Sequence, residues 1–375
     1  MDKRINIVSF DVPFPANYGG VIDVYYKLYW LKQAGVKVHL HCFTYGRKPA
    51  KELDELCEKV YYYKRKTGVT SALSFLPYTV KSRLSEDLAT NLLSNDYPII
   101  FEVLHTCYLL RDERFKTRKK IFRQSNIEHE YYRELISSER NFWKRIFLKW
   151  EARRLEKFEM VLNHAQVILT VNDQDTNYFK QKYPEAETTY LPSFHASDKV
   201  DIKKGVGEYI LFHGNLSVSE NYEAASWLIE QVFSKLDFPV IVAGLNPPAF
   251  LKALCDKYHV SLVSNPSDKR MSELIFNAQV HVLNTNQSTG LKLKLLNVLF
   301  RGRFIVAKNH IIFGTNLKAN DSFFLAEEAD EFIRKINACV KLELGDRMIK
   351  HREEQIVTFD NRVNVQKLIE IVFGH

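Results

Sequence analysis

Between residues 287 and 297 the chain reads QSTGLKLKLLN, the stretch whose residue types speak most directly of chemistry. An apolar strand over Val280–Leu283 feeds a polar loop, Asn284–Thr289, and Gly290 opens a helix from about Leu291. The first turn of a helix offers unpaired backbone N–H groups at the positive end of its dipole, an arrangement suited to a diphosphate. Ser288, Thr289, Gly290 and Leu291 would lie against that anion, with Gly290 allowing the backbone to approach closely. Lys292 and Lys294 add cationic donors. Residues two apart do not share a helix face, so at most one of the two reaches the phosphates. Taken in isolation, the pattern reads equally as a solvated helix start.

Chemistry at an acceptor oxygen would need a base or proton relay within hydrogen-bond reach. His105 stands just beyond a strand over Pro98–Val103, at the C-terminal end where such a group belongs, and is the first candidate. Glu128 and His129, with Asn126 before them, follow a strand over Lys120–Arg123 and form the second. Glu102 is close to His105 in sequence but is placed to point into the sheet. Asn17, Tyr18, Gly19 and Gly20 lie in a Pro- and Gly-rich loop after the first strand. The glycine pair serves either as a gap for a passing phosphate or as a plain turn and helix cap.

These residues need a scaffold, and both halves of the chain alternate strands with helices. In the first half, strands are predicted at Ile5–Phe10, Val36–Phe43, Pro98–Val103, Lys120–Arg123 and Gln166–Val171, with a helix over Val21–Ala34. The pattern restarts with strands at Tyr209–His213, Pro239–Ala243, Ser261–Ser264, Val280–Leu283 and Phe304–Ala307, and a helix over Asn221–Leu236. Tyr183–Gly207 lacks periodicity and reads as a linker. The expected fold is α/β: two Rossmann-like parallel-sheet domains facing across a cleft. The expected spans are 1–190 and 207–345, with a C-terminal helical segment, 346–375, crossing back to the first domain.

The motifs resemble a known family. Ser288–Ala307 is similar to the G-t-R/K-x-K-x-x-E-a-x-x-x-G-x-x-V-V segment of the family 4 retaining glycosyltransferases, of the bacterial surface-polysaccharide type with the GT-B fold. YILFHGNLSVSENYEAA, from Tyr209, resembles the opening of their donor domain, and Val240–Gly244 their later "ivaG" strand. FPANYGG, ending at Gly20, followed by Gly35-Val-Lys-Val-His, resembles their start. Arg123–His129 resembles their R-x-H-N-x-E segment, and Val171–Asp175 their v-S-x-x-D. Phe313-Gly314 falls where they carry a late glycine, and the matches keep the family order from residue 5 to about 315.

The resemblance implies donor contacts at Gly19, Gly20, Gly214, Asn215, Ser288, Thr289, Gly290, Leu291, Lys292, Lys294 and Asn297. Asn17, Tyr18 and Asn126 would stand on the acceptor side, with His105, Glu128 and His129 as the catalytic candidates. It further implies a UDP- or GDP-hexose donor, a glycan or lipid-linked glycan acceptor, retention of anomeric configuration, and neither a metal nor a resident cofactor. The departures are specific. The family's paired glutamates fall on Thr289 and Asn297, and its Arg and Lys on Asn215 and Glu220. An amide can still hydrogen-bond a diol, but it carries no charge. These losses keep open a catalytically degenerate scaffold. A UDP-sugar 2-epimerase shares the two-domain shape, but the set of cleft carboxylates it needs is not found.

Composition bounds the rest. The chain has 375 residues, 46% hydrophobic and 26% charged, as in ordinary globular proteins. The opening apolar run is too brief for a signal peptide and no apolar stretch is long enough to span a bilayer, so a cytoplasmic protein is expected. Five scattered cysteines suit reduced thiols. Residues 1–200 hold 32 Lys and Arg against 25 Asp and Glu, while the remainder is nearly balanced at 21 against 20. The charge is modest and no nucleic-acid-binding motif appears, so nucleic acid is not an expected partner. Arg140–Phe158 is basic and aromatic, with Trp143, Ile146, Phe147 and Trp150 at helical spacing. It fits an interfacial helix at the inner face of a membrane, or a core-facing stripe with a solvated basic side.

Overall fold

In the computed structural model, residues 2–68, 74–139, 141–285 and 291–374 are described. Short apolar runs between turn signals form the central strands, which are buried on both faces, as parallel sheets require. Seven strands make the first sheet: β1 (Arg4–Ser9), β2 (Lys37–Thr44), β3 (Lys59–Lys64), β4 (Ile99–Glu102), β5 (Lys120–Arg123), β6 (Val167–Thr170) and β7 (Glu187–Tyr190). All pairings are parallel, in the order β3-β2-β1-β4-β5-β6-β7. Six strands make the second: β8 (Ile210–Asn215), β9 (Val240–Leu245), β10 (Ser261–Ser264), β11 (Val280–Leu283), β12 (Phe304–Ala307) and β13 (Phe323–Leu325). They too are parallel, in the order β10-β9-β8-β11-β12-β13.

The chain divides into two compact units. The first takes the chain up to Ala196 and again from Asn361; the second covers Ser197–Asp360 apart from residues 289–291. In the first unit, one core includes Phe101, Phe115, Phe122 and Leu155, and another includes Ile7, Leu28, Val38 and Leu368. In the second, Phe212, Leu228, Val282 and Phe332 belong to the main core. The strand order reverses between β1 and β4 in one sheet and between β8 and β11 in the other. Those two switch points are where open α/β sheets bind ligands, beyond the C-terminal ends of the strands.

The structure differs from the sequence reading in two places that affect the units. The segment expected to be a linker contains β7, which closes one edge of the first sheet. The expected C-terminal helix over 346–373 is two helices, Asp346–Ile356 and Asn361–Phe373. The second of these starts at a buried anchor. Asn361 Nδ2 donates to His195 O at 2.9 Å, and His195 N donates back to Asn361 Oδ1 at 3.3 Å.

Candidate functional site

In the second unit, helix Leu293–Arg301 carries Lys294 in its first turn, with Lys292 at the N-cap position. Lys294 turns onto the switch point. Its Nζ donates to Asn221 Oδ1 at 3.3 Å and to Asn284 O at 3.4 Å, and lies 5.7 Å from the centre of the Phe212 ring. Asn221 Nδ2 in turn donates to Asn215 O at 3.0 Å, where β8 ends. Burial lowers the pKa of Lys294, and the nearby Glu220 carboxylate works against that fall. Glu220 also accepts a short hydrogen bond from Thr285 Oγ1. A cation therefore stands at the ends of β8 and β11, within a frame of three asparagines and one carboxylate.

Two glycines let this frame close. A Cβ on Gly244 would stand 1.9 Å from Gly214 O, and one on Gly214 would stand 3.2 Å from the Asn221 side chain. Asn215 holds its own turn, with its Oδ1 accepting from Ser217 N at 3.1 Å and Ser217 Oγ at 2.7 Å. Asn297 lies one turn beyond Lys294 on the same helix and is neighbour to it at i, i+3. Beneath Lys294, both ring nitrogens of the buried His213 lack a hydrogen-bond partner, as does Asn284 Oδ1. Burial first, and Lys294 second, lower the His213 pKa to about 4. Leu291 and Lys292 are half-buried; Ser288, Thr289 and Gly290 lie outside the described residues. The helix begins at Leu293, two residues later than expected.

Arg352 fixes the far end of the same helix. Fully buried, its guanidinium donates to the carbonyls of Val298, Leu299, Gly302, Arg303 and Ser322 at 3.1–3.5 Å. Carbonyls at a helix C-terminus are the natural partners of a cation. Arg352 was not singled out in the sequence, because a lone arginine in a polar helix carries no pattern.

In the first unit, β4 ends in a backbone outlier. Val103 has φ 59°, the left-handed region that a β-branched residue avoids. Neighbours hold it there: Val103 N donates to Arg123 O at 2.9 Å, and Thr106 Oγ1 donates to Glu102 O at 3.0 Å. Strain of this kind clusters at functional sites. Two residues on, His105 Nε2 lies 3.3 Å from Glu128 Oε2, at ion-pair distance but outside hydrogen-bond geometry. Glu128 opens helix Glu128–Ser138, where the dipole favours its negative charge.

His129 is set apart from this pair. Consecutive helix residues point about 100° apart. His129 Nδ1 faces Glu159 Oε2 at 3.1 Å in the core, and Glu159 also accepts from Tyr178, Lys182 and Tyr183. Asn126 is half-buried just before the helix.

The loop after β1 is tied down by its own side chains. Tyr18 OH donates to Asp11 Oδ2 at 2.8 Å. Arg47 donates to Val12 O, Pro15 O and Asn17 Oδ1. Gly19 begins helix Gly19–Gln33. A Cβ on Gly20 would stand 2.5 Å from Phe10 Cζ, so close packing against that ring explains this glycine. Glu102 is buried between its strand and helix Gly19–Gln33. It meets Lys27 Nζ at 2.7 Å in a buried group completed by Asp23 and Arg123. Asp173 and Asp175, in the first turn of helix Asp173–Lys182, have D-x-D spacing although no D-x-D pair of the kind that holds a metal–diphosphate was expected. Asp175 Oδ2 is buried and accepts from Gln124 Nε2 at 2.5 Å and Asn172 Nδ2 at 2.8 Å.

Asn221, Asn284, Thr285 and His213 are the residues around Lys294 that the sequence did not single out. Asn284 and Thr285 follow β11 directly, so the strand order alone would have found them once the switch point was known.

No family model matches the sequence. A Klebsiella pneumoniae protein described as an uncharacterized 44.6 kDa protein in the cps region is 24% identical over 355 residues, covering 89% of this chain and 90% of that one. Among solved structures, sucrose-phosphate synthase from Thermosynechococcus elongatus is similar with a TM-score of 0.64 and 14% identity, over 99% of this chain and 96% of that one. Anabaena HepE in complex with UDP is similar with a TM-score of 0.65 and 11% identity, over 98% and 99%. A variant of S. aureus TarM in complex with fondaparinux, α-GlcNAc-glycerol and UDP is similar with a TM-score of 0.68 and 10% identity, over 99% and 100%. These neighbours are glycosyltransferases of GT-B type, and the two parallel sheets of this chain, seven- and six-stranded with helices between, have the GT-B fold.

Proposed function

We propose that this protein is a metal-independent, retaining glycosyltransferase that moves a hexosyl group from a UDP- or GDP-sugar to a glycan or lipid-linked glycan, in surface polysaccharide synthesis and at a membrane surface. The observation that carries the reading is Lys294. The second sheet's switch point holds a lysine between Asn221 and Asn284, on the first turn of a helix whose N-terminus favours anions. UDP in two of the similar structures supports a nucleotide diphosphate there, and α-GlcNAc-glycerol in one supports a glycan product or acceptor. The cps region of the Klebsiella relative supports the polysaccharide role.

In this reading, Lys294 and the helix N–H groups bind the diphosphate, and Lys292 and Asn297 border it. The acceptor hydroxyl oxygen forms the new bond to the anomeric carbon while the bond from that carbon to the donor phosphate breaks. The departing nucleoside diphosphate takes the electron pair. The hydroxyl proton passes to the leaving phosphate oxygen or to His105, whose ring Glu128 positions. No protein nucleophile enters the scheme. The test is to incubate the protein with UDP- and GDP-hexoses, a glycan acceptor and a chelator, and to read nucleotide release and product configuration by NMR. Acceptor-dependent release with the α or β configuration of the donor kept is expected. Inversion would overturn retention, and loss of activity with the chelator would overturn metal independence. Absence of any transfer across the donor panel would overturn the reading itself.

A further inference from the structure

Helix Phe142–Phe158, about 25 Å long, is bound to the first unit by one face only. Glu151, Ala152, Leu155 and Phe158 are buried. Glu151 anchors the helix by accepting from Tyr78 N and Thr79 N, each at 2.9 Å. At about 100° per residue, the opposite face carries Phe142, Trp143, Ile146 and Trp150. They are 65%, 76%, 37% and 58% exposed, whereas Phe147 stands beside Glu151 with its ring edge-on to Tyr78 at 6.0 Å. An anchored helix would ordinarily turn a charged face to water; this one presents a stripe of large apolar side chains. Phe75, three residues before Tyr78, is also fully exposed.

The charge around the stripe decides what covers it. The helix holds six Lys and Arg (Lys144, Arg145, Lys149, Arg153, Arg154 and Lys157) against two glutamates. Two copies of so basic a helix laid together would repel each other. An anionic surface would attract it, and aromatic rings with polar edges suit the boundary between head groups and acyl chains. Among the described residues, no helix is long and apolar enough to cross a membrane, so the contact would lie in the surface plane.

We infer that the exposed aromatic face of helix Phe142–Phe158 docks on an anionic phospholipid surface, with its Lys and Arg residues bordering the contact. The inference deepens the proposed function by naming where a lipid-linked acceptor would be met. Lipid binding itself does not depend on transfer.

The experiment is flotation of the full-length protein with vesicles of phosphatidylcholine alone, and of phosphatidylcholine with about one third phosphatidylglycerol. Binding to the anionic vesicles, little binding to the neutral ones, and weakening by added salt are expected. A Lys144→Ala/Lys149→Ala variant should bind about 25-fold more weakly, at about fivefold per basic residue near the surface. Trp143→Ser/Trp150→Ser should lose at least about tenfold. Both variants change exposed residues, so their circular dichroism and nucleotide binding should match the wild type. Equal binding to neutral and anionic vesicles would overturn the inference, as would variants that bind like the wild type. A dimer in light scattering that Trp143→Ser dissociates would assign the face to a second copy instead. Transfer activity without vesicle binding would reject this inference, and with it the membrane location, and leave the proposed transfer reaction standing; vesicle binding without transfer would do the reverse.

Discussion

Lys294, His105 and His213 show how much at the residue scale depends on which groups lie within about 4 Å. Lys294 is held by one side-chain amide and one carbonyl, so an incoming phosphate would find a positioned cation. Lys294→Ala should weaken nucleotide diphosphate binding by about 10- to 100-fold, at about 1.5–3 kcal/mol for a hydrogen bond to a charged group. Titration calorimetry reads that change directly. On the acceptor side, His105→Ala and Glu128→Gln should each lower kcat by about 100-fold or more. His129→Gln should lower stability and leave kcat nearly unchanged, because its ring faces Glu159 in the core.

His213 makes a pH prediction. Its folded pKa, about 4, lies below the 6.5 of the unfolded chain. The unfolded chain therefore takes up a proton near pH 6.5 that the folded unit declines. Stability from the neutral ring is whole above that pH and is lost as the pH falls to about 4, by about 3 kcal/mol. Urea unfolding at about pH 7 and about pH 5 should show a smaller loss in His213→Phe than in the wild type. Equal losses would show that His213 is not the titrating group.

At the scale of elements, the central strands were legible and most of the edges were not. Lys120–Arg123, Val280–Leu283 and Phe304–Ala307 form as read, as does one edge, Ser261–Ser264. Fully buried parallel strands are continuous apolar runs, and that signal is hard to miss. The unread strands β3, β7 and β13 are all edges, made of KVYYYK, ETTY and FFL. An edge strand is paired on one side only and tolerates polar or brief sequences, so its run resembles a loop. The helix behind Lys294 was legible from its spacing; its anchor, Arg352, was not. One planar guanidinium reaches five carbonyls, a geometry that an ammonium cannot copy. Arg352→Met should cost about 3–5 kcal/mol, since the carbonyls lose a buried charged partner. Urea unfolding followed by circular dichroism would measure it. Arg352→Lys should recover only part of the loss. Lys27 is a parallel case, because Lys27→Met would leave Glu102 without its buried partner.

For the whole molecule, the repeat of strand and helix along the chain carried the two-sheet architecture before any site was known. Position within that repeat explains the candidate site. The residues of interest in each unit follow β1, β4 and β5, or β8 and β11, and all of these strands but β5 flank a reversal of order. What could not be read was which of several plausible side chains turns outward. Lys292 and Lys294 are the same residue type two positions apart, and Glu128 and His129 are adjacent candidates; the fold turns Lys294 onto Asn221 and Asn284, and His129 toward Glu159 rather than His105. Where the glycosyltransferases that the motifs resemble carry Arg and Lys, this chain has Asn215 and Glu220; Lys294 is the cation proposed in their place, with Glu220 tied to Thr285.

That substitution is the central claim, and calorimetric titration of the purified protein with UDP, GDP, ADP and CMP, repeated on Lys294→Ala, tests it most directly. UDP or GDP should bind selectively to the wild type and at least about tenfold more weakly to a variant with an unchanged fold. Binding of no nucleotide by a folded, monodisperse wild type, or equal binding by the variant, would contradict it.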